Sequence, residues 1–184
     1  MMRRTVLVTV LALVLGVLAA PAFAANVHLK GGKNAEPSFF DGGLTLNGSG
    51  DIAGLGNGDV LVTISASADV TSSCINPGNG EHRPPGQNPA PITVTGSQAI
   101  PEEELKNGST PFSVTTVAPS STIAGAPDCP NSSWTETIED LAFTSAVITV
   151  DQPVGTTVLT VTCTFSPPTS DGPVPGNTVT CTSS

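Results

Sequence analysis

Residues Gly48 to Asp59 read GSGDIAGLGNGD, five glycines and two aspartates in twelve positions. Two chemistries use such a stretch. A glycine-rich turn cradles phosphate on its backbone N–H groups when a strand precedes it and a helix follows. Here the segment that follows alternates with the period of a strand, so the phosphate reading fails on context. Calcium-binding β-rolls repeat a glycine-rich nonapeptide many times. This chain has one imperfect copy, and Asp51 and Asp59 lack the spacing of a dedicated calcium loop. The stretch is therefore expected to be a hairpin connection, with Asn57-Gly58 tolerating positive φ. Weak calcium binding by Asp51 and Asp59 stays open.

The other candidate groups are sparse. His82 lies beside Glu81 in NGEHRPPGQNP, but neighbours on extended backbone point apart, so a solvated loop histidine is expected. His28 falls on a frayed or edge segment. Glu102-Glu103-Glu104 suits the positive end of a short helix begun by Pro101 and closed by Gly108. Paired carboxylates for glycoside hydrolysis must face each other across the bond, which sequence neighbours on one turn do not do. No G-x-S-x-G elbow occurs. A Ser-His-Asp triad on His28 or His82 would have to assemble in space, so the sequence leaves it open. Sugar-binding faces rely on exposed aromatic rings. With one Trp, six Phe and no Tyr the chain has few to offer, and Trp134 is expected in the core or at its edge. No catalytic, cofactor-binding or metal-ligating set emerges, and no cofactor is expected.

These residues must be positioned by strands. Val60, Val62, Ile64, Ala66, Ala68 and Val70 share one phase, which continues to Cys74. Leu61, Thr63, Ser65, Ser67, Asp69 and Thr71 share the other. Shorter alternating runs surround Leu44 and Leu46, Ile92 and Val94, Phe112 and Val114, Trp134 to Ile138, Phe143 to Val150, Leu159 to Phe165, and Val179 with Cys181. About eight strands separated by turn signals predict an all-β chain, an antiparallel two-sheet sandwich of immunoglobulin-like size with at most one short helix. The longest loops are Asn76 to Pro91 and Ser166 to Gly176. Neither a domain boundary nor an internal repeat stands out.

The four cysteines, Cys74, Cys129, Cys163 and Cys181, form no CxxC pair and have two histidines for company, which disfavours structural zinc. Four cysteines allow three pairings. Folding the chain about the Pro/Gly-rich stretch from Pro167 to Gly176 brings Cys163 opposite Cys181. Cys74 and Cys129 then pair by elimination.

Arg3 and Arg4, the apolar run from Thr5 to Ala20, and Ala22-Phe23-Ala24 together predict a signal peptide over residues 1–24 and a single secreted domain over 25–184. The exported chain keeps all fifteen acidic residues but only four basic ones, a formal charge of −11. That balance excludes a nucleic-acid footprint and a helix bound to anionic lipid. No second apolar run follows, so no membrane span is expected in the mature chain.

Three segments, GLGNGDVLVTISASADVTSSCINPG, PPGQNPAPITVTGSQAIP and CPNSSWTETIEDLAFTSAVITV, together resemble a family of small secreted actinobacterial proteins whose function is not established. The resemblance covers most of the mature chain. It implies export and a β fold, and carries over no catalytic or ligand residue. The reading that follows is a non-catalytic extracellular or cell-surface binding or structural protein, not an enzyme, with an extracellular or cell-wall partner. The alternatives are a secreted protease inhibitor presenting a disulfide-tethered loop such as Asn76–Pro91, and a carrier of small hydrophobic ligands.

Overall fold

The computed structural model describes residues 26–31, 35–78 and 89–184. The expected signal peptide, the cleavage site, Glu81 and His82 lie outside the described residues, as does most of the Asn76–Pro91 loop.

The described chain is all-β, in two antiparallel sheets. In chain order the strands are β1 (His28–Leu29), β2 (Ser38–Asp41), β3 (Leu46–Ala53), β4 (Val60–Ile75), β5 (Ile92–Ile100), β6 (Ser109–Thr115), β7 (Thr122–Ile123), β8 (Thr135–Asp151), β9 (Thr157–Phe165), β10 (Gly172–Pro173) and β11 (Val179–Ser183). The larger sheet runs β11-β9-β8-β4-β5, with β7 added to β8. In the smaller sheet β3 is central. It pairs with β6 on one side and with β2 and β1 on the other, and β10 joins β2. The helix expected near Pro101 is a single 3-10 turn, Glu102–Glu104, and a second such turn spans Gly176–Thr178.

The core is the inward phase of these strands. Val60, Val62, Ile64, Leu46, Ile52, Leu141, Phe143, Ile148, Val150 and Val161 are all buried. Each such aliphatic side chain contributes roughly 1.5–3 kcal/mol by leaving water. The expected strands at Trp134–Ile138 and Phe143–Val150 are one strand, β8. Their inward positions differ in phase: Glu136 and Ile138, then Leu141 and Phe143, then Ala146, Ile148 and Val150. Two bulges against β4 reconcile them, at the register shifts between Ser67/Ala68 and Thr71/Ser72. Each inserts an extra residue into β8 and turns the following run inward again.

The two sheets are tied together at both sides. At one, the Val117 N–H donates to the Thr95 carbonyl at 2.8 Å, and the β6 backbone passes directly over Gly96 of β5. A Cβ on Gly96 would lie 1.9 Å from the Thr115 oxygen, so only glycine fits that crossing. At the other, the Ser166–Gly176 loop leaves the larger sheet and adds β10 to the smaller one. Thr169 fastens this strap. Its N–H donates to the Phe143 carbonyl, its hydroxyl accepts from the Phe143 N–H and donates to the Asp41 carboxylate. Phe39 and Phe165 meet beneath it edge to face, centroids 5.0 Å apart.

Both disulfides join the expected partners, Cys74–Cys129 and Cys163–Cys181. Cys163 and Cys181 face each other in the β9–β11 register.

Candidate functional site

The glycine stretch divides into a strand and a turn. Gly48 to Ala53 belongs to β3, a correction to the single hairpin connection expected over Gly48–Asp59. Its glycines make room for the core. A Cβ on Gly48 would press at 3.2 Å on the Cδ1 atoms of Ile64 and Ile148, and the Phe112 ring covers Gly50. The turn itself is Gly54 to Asp59, where Gly54 and Gly58 take positive φ. Buried Gln152 holds it from inside: its amide oxygen accepts from Gly56 N–H, and its amide nitrogen donates to the carbonyls of Gly56 and Gly58, all at 2.8–2.9 Å. Asp59 accepts from Glu102 N–H at 3.0 Å and caps the 3-10 turn, while Asp51 is exposed on β3. The two aspartates thus do separate work. Among the described residues no group of three His, Cys, Asp or Glu side chains is placed to hold a metal ion.

Asp51 instead lines an open groove of about 620 Å³ with Lys30, Lys106, Glu103, Glu104 and Gln98. Lys30 and Lys106 are the two lysines among the described residues, and this groove gathers both. The charges face water and are screened. The Glu102–Glu104 turn contributes a solvated wall, its residues all exposed. His28 sits on the short edge strand β1, exposed, with Nδ1 2.7 Å from the Asn26 carbonyl. Trp134 is half-buried just before β8.

Two carboxylates lie deep. Glu136 is fully buried, where it accepts from the Ser72 hydroxyl at 2.7 Å and from the Asp128 N–H at 3.3 Å. It thereby pins the segment that carries Cys129. Asp41 is 1% exposed and accepts from Thr169 and from Gly43 N–H. Burial holds its carboxyl above the ordinary 3.8. The two hydrogen bonds oppose this, and the nearby Asp140 and Asp171 add to it.

The most uniform surface is the outer face of the larger sheet. Register places its outward residues in three rows across five strands. The first is Thr93, Ser67, Ser145, Thr164 and Thr180. The second is Thr95, Ser65, Val147, Thr162 and Thr182. The third is Ser97, Thr63, Thr149, Thr160 and Ser184. Fourteen of the fifteen positions are Ser or Thr and none is charged, on a chain with fifteen acidic residues. Asp69 and Asp151 stand at its two ends. Ser67 and Thr93 hydroxyls lie 3.4 Å apart. The other twelve hydroxyls make no hydrogen bond to a described residue.

A sequence signal for this face was present. The polar phase of β4 is its first trace. The stronger one is a short internal repeat, TVTCT, at 160–164 and again at 178–182. No repeat is expected from periodicity alone, because the two copies are short and become related only when they pair antiparallel. The chain matches no protein-family model, no curated protein and no solved structure. Among the described residues no helix is long and apolar enough to cross a membrane.

Proposed function

We propose that this is a non-catalytic extracellular binding protein whose contact surface is the hydroxyl face of the larger sheet. The observation that carries the reading is the exclusion of charge from fifteen neighbouring outward positions on an otherwise acidic chain. Solvent-facing strands ordinarily mix Lys, Glu and Arg into such a surface, and exposed charge serves solubility. A face that gives this up, and leaves twelve of its fourteen hydroxyls without a hydrogen bond to a described residue, is suited to a neutral, hydrogen-bonding partner. The two disulfides support an oxidising, extracellular setting, as do the charged start and apolar run of the first residues.

The reading is tested by mixing the disulfide-bonded protein with washed cells and insoluble extracellular material. Retention on the solid is expected to persist at about 1 M salt, where charge–charge attraction is almost fully screened. It is expected to disappear in Thr162→Glu/Thr182→Glu. Retention that salt abolishes, or that this variant keeps, counts against the hydroxyl face as the contact surface.

A further inference from the structure

The hydroxyl face is regular in two directions. Alternate residues along a strand lie about 6.8 Å apart, and neighbouring strands about 4.8 Å apart. These repeats are close to those of the oxygen atoms on a prism face of ordinary ice. Threonine suits such a surface. It offers a hydroxyl and a methyl from one β-carbon, and its branching restricts χ1, so little side-chain freedom is lost on contact. Val147, at the centre of the middle row, has the shape of a threonine.

The array is best ordered over β9 and β11. There the two TVTCT copies run antiparallel, with Thr164 beside Thr180 and Thr162 beside Thr182. The Cys163–Cys181 bond staples the same two strands from the opposite face. Strands rotate by about 20–25° from one to the next. A patch centred on β9, with β8 and β11 beside it, therefore stays nearest to one plane, and β5 turns out of it.

We propose that the β8–β9–β11 part of this face adsorbs to ice. The proposal rests on the reading of this face as the binding surface and names its ligand as crystalline water. Other occupants fit less well. The face carries no aromatic ring to stack on sugars and no cation for an anionic polymer. Its fifteen positions span roughly 500 Å² at strand spacing, below the about 800 Å² per partner of a standard protein interface.

The test is an ice-recrystallisation assay with nanolitre osmometry, on the disulfide-bonded protein and two paired variants, Thr162→Glu/Thr182→Glu on the face and Ser38→Glu/Phe40→Glu at exposed positions of β2 in the smaller sheet. Circular dichroism and thermal melting check that each is folded. The unaltered protein and the β2 pair are expected to keep ice grains small and to shape crystals. The β9–β11 pair is expected to lose both effects. If the β9–β11 pair melts early, the single edge-strand change Thr182→Lys carries the same test. The proposal is overturned if the unaltered protein behaves like an inert protein of its size, or if the β9–β11 variants keep the effect. Salt-resistant binding to insoluble polysaccharide with no effect on ice overturns the ice assignment alone. Retention on neither kind of solid removes the binding face as well. A dimer that the β9–β11 variants dissolve places a second copy on the face and also overturns the assignment.

Discussion

Single residues set the closest tolerances in this fold. At Gly96 the crossing of β6 leaves no space for even a methyl group, because the obstacle is the Thr115 backbone and not a movable side chain. Gly96→Ala is expected to destabilise the protein at the upper end of the roughly 1–3 kcal/mol typical of over-packing, seen as a lower denaturation midpoint with both disulfides intact. Asp41 is the residue whose charge state matters to stability. Its folded pKa lies above its ordinary 3.8, so the folded state binds its proton more tightly than the unfolded chain does. Its contribution is therefore fully present below the ordinary value and is lost as pH rises through the raised one. The stability of Asp41→Asn relative to the unaltered protein is expected to improve as pH rises from the ordinary carboxylate value through the raised one, and to change no further above it. Paired urea titrations across that range give the difference. A flat difference would show that Thr169 and Gly43 offset the burial completely.

At the scale of elements, the paired strands and their cross-links share the work. The Cys163–Cys181 bond spans 18 residues and the Cys74–Cys129 bond spans 55. The chain-entropy account values them at about 3 and about 4 kcal/mol. Replacing each pair by serine is expected to lower stability in that order, the larger loss following removal of Cys74–Cys129. Denaturant titration of the two double variants ranks them. The Cys163→Ser/Cys181→Ser variant carries a second expectation, since β9 and β11 also hold the TVTCT copies. Loosening them is expected to weaken surface retention while far-ultraviolet dichroism stays that of a β protein. The bulges in β8 belong to this scale as well. They let one strand of 17 residues present three differently phased apolar runs to a single core.

At the scale of the whole molecule, the distribution of charge is the main property. None of the acidic residues falls on the fifteen outward positions of the larger sheet's hydroxyl face, and Asp69 and Asp151 mark its two ends. An acidic chain of this kind is expected to give no shift with duplex DNA even at low salt, because it lacks the cations that would release phosphate counterions. N-terminal sequencing of material collected from medium is expected to begin at Ala25, the position set by the Ala22-Phe23-Ala24 signature. A chain that retained the apolar run from Leu11 to Leu18 would place the protein at a membrane and remove the extracellular reading.

Local order was legible in the sequence because strand alternation and turn chemistry are written in neighbouring residues. The period-two runs from Val60 to Val70 and from Leu159 to Phe165 determined the sandwich class. The Pro/Gly-rich stretch between Cys163 and Cys181 determined their pairing. The rest was not legible because it depends on contacts between residues far apart in the chain. That β8 is one strand depended on two bulges whose position is fixed by β4, a partner more than 60 residues away. That Gly48 and Gly50 are strand residues depended on Ile64, Ile148 and Phe112 lying over them. The hydroxyl face depended most on tertiary structure. Its rows draw on five strands scattered from Thr63 to Ser184, and only the register of their pairing turns separate polar phases into one surface.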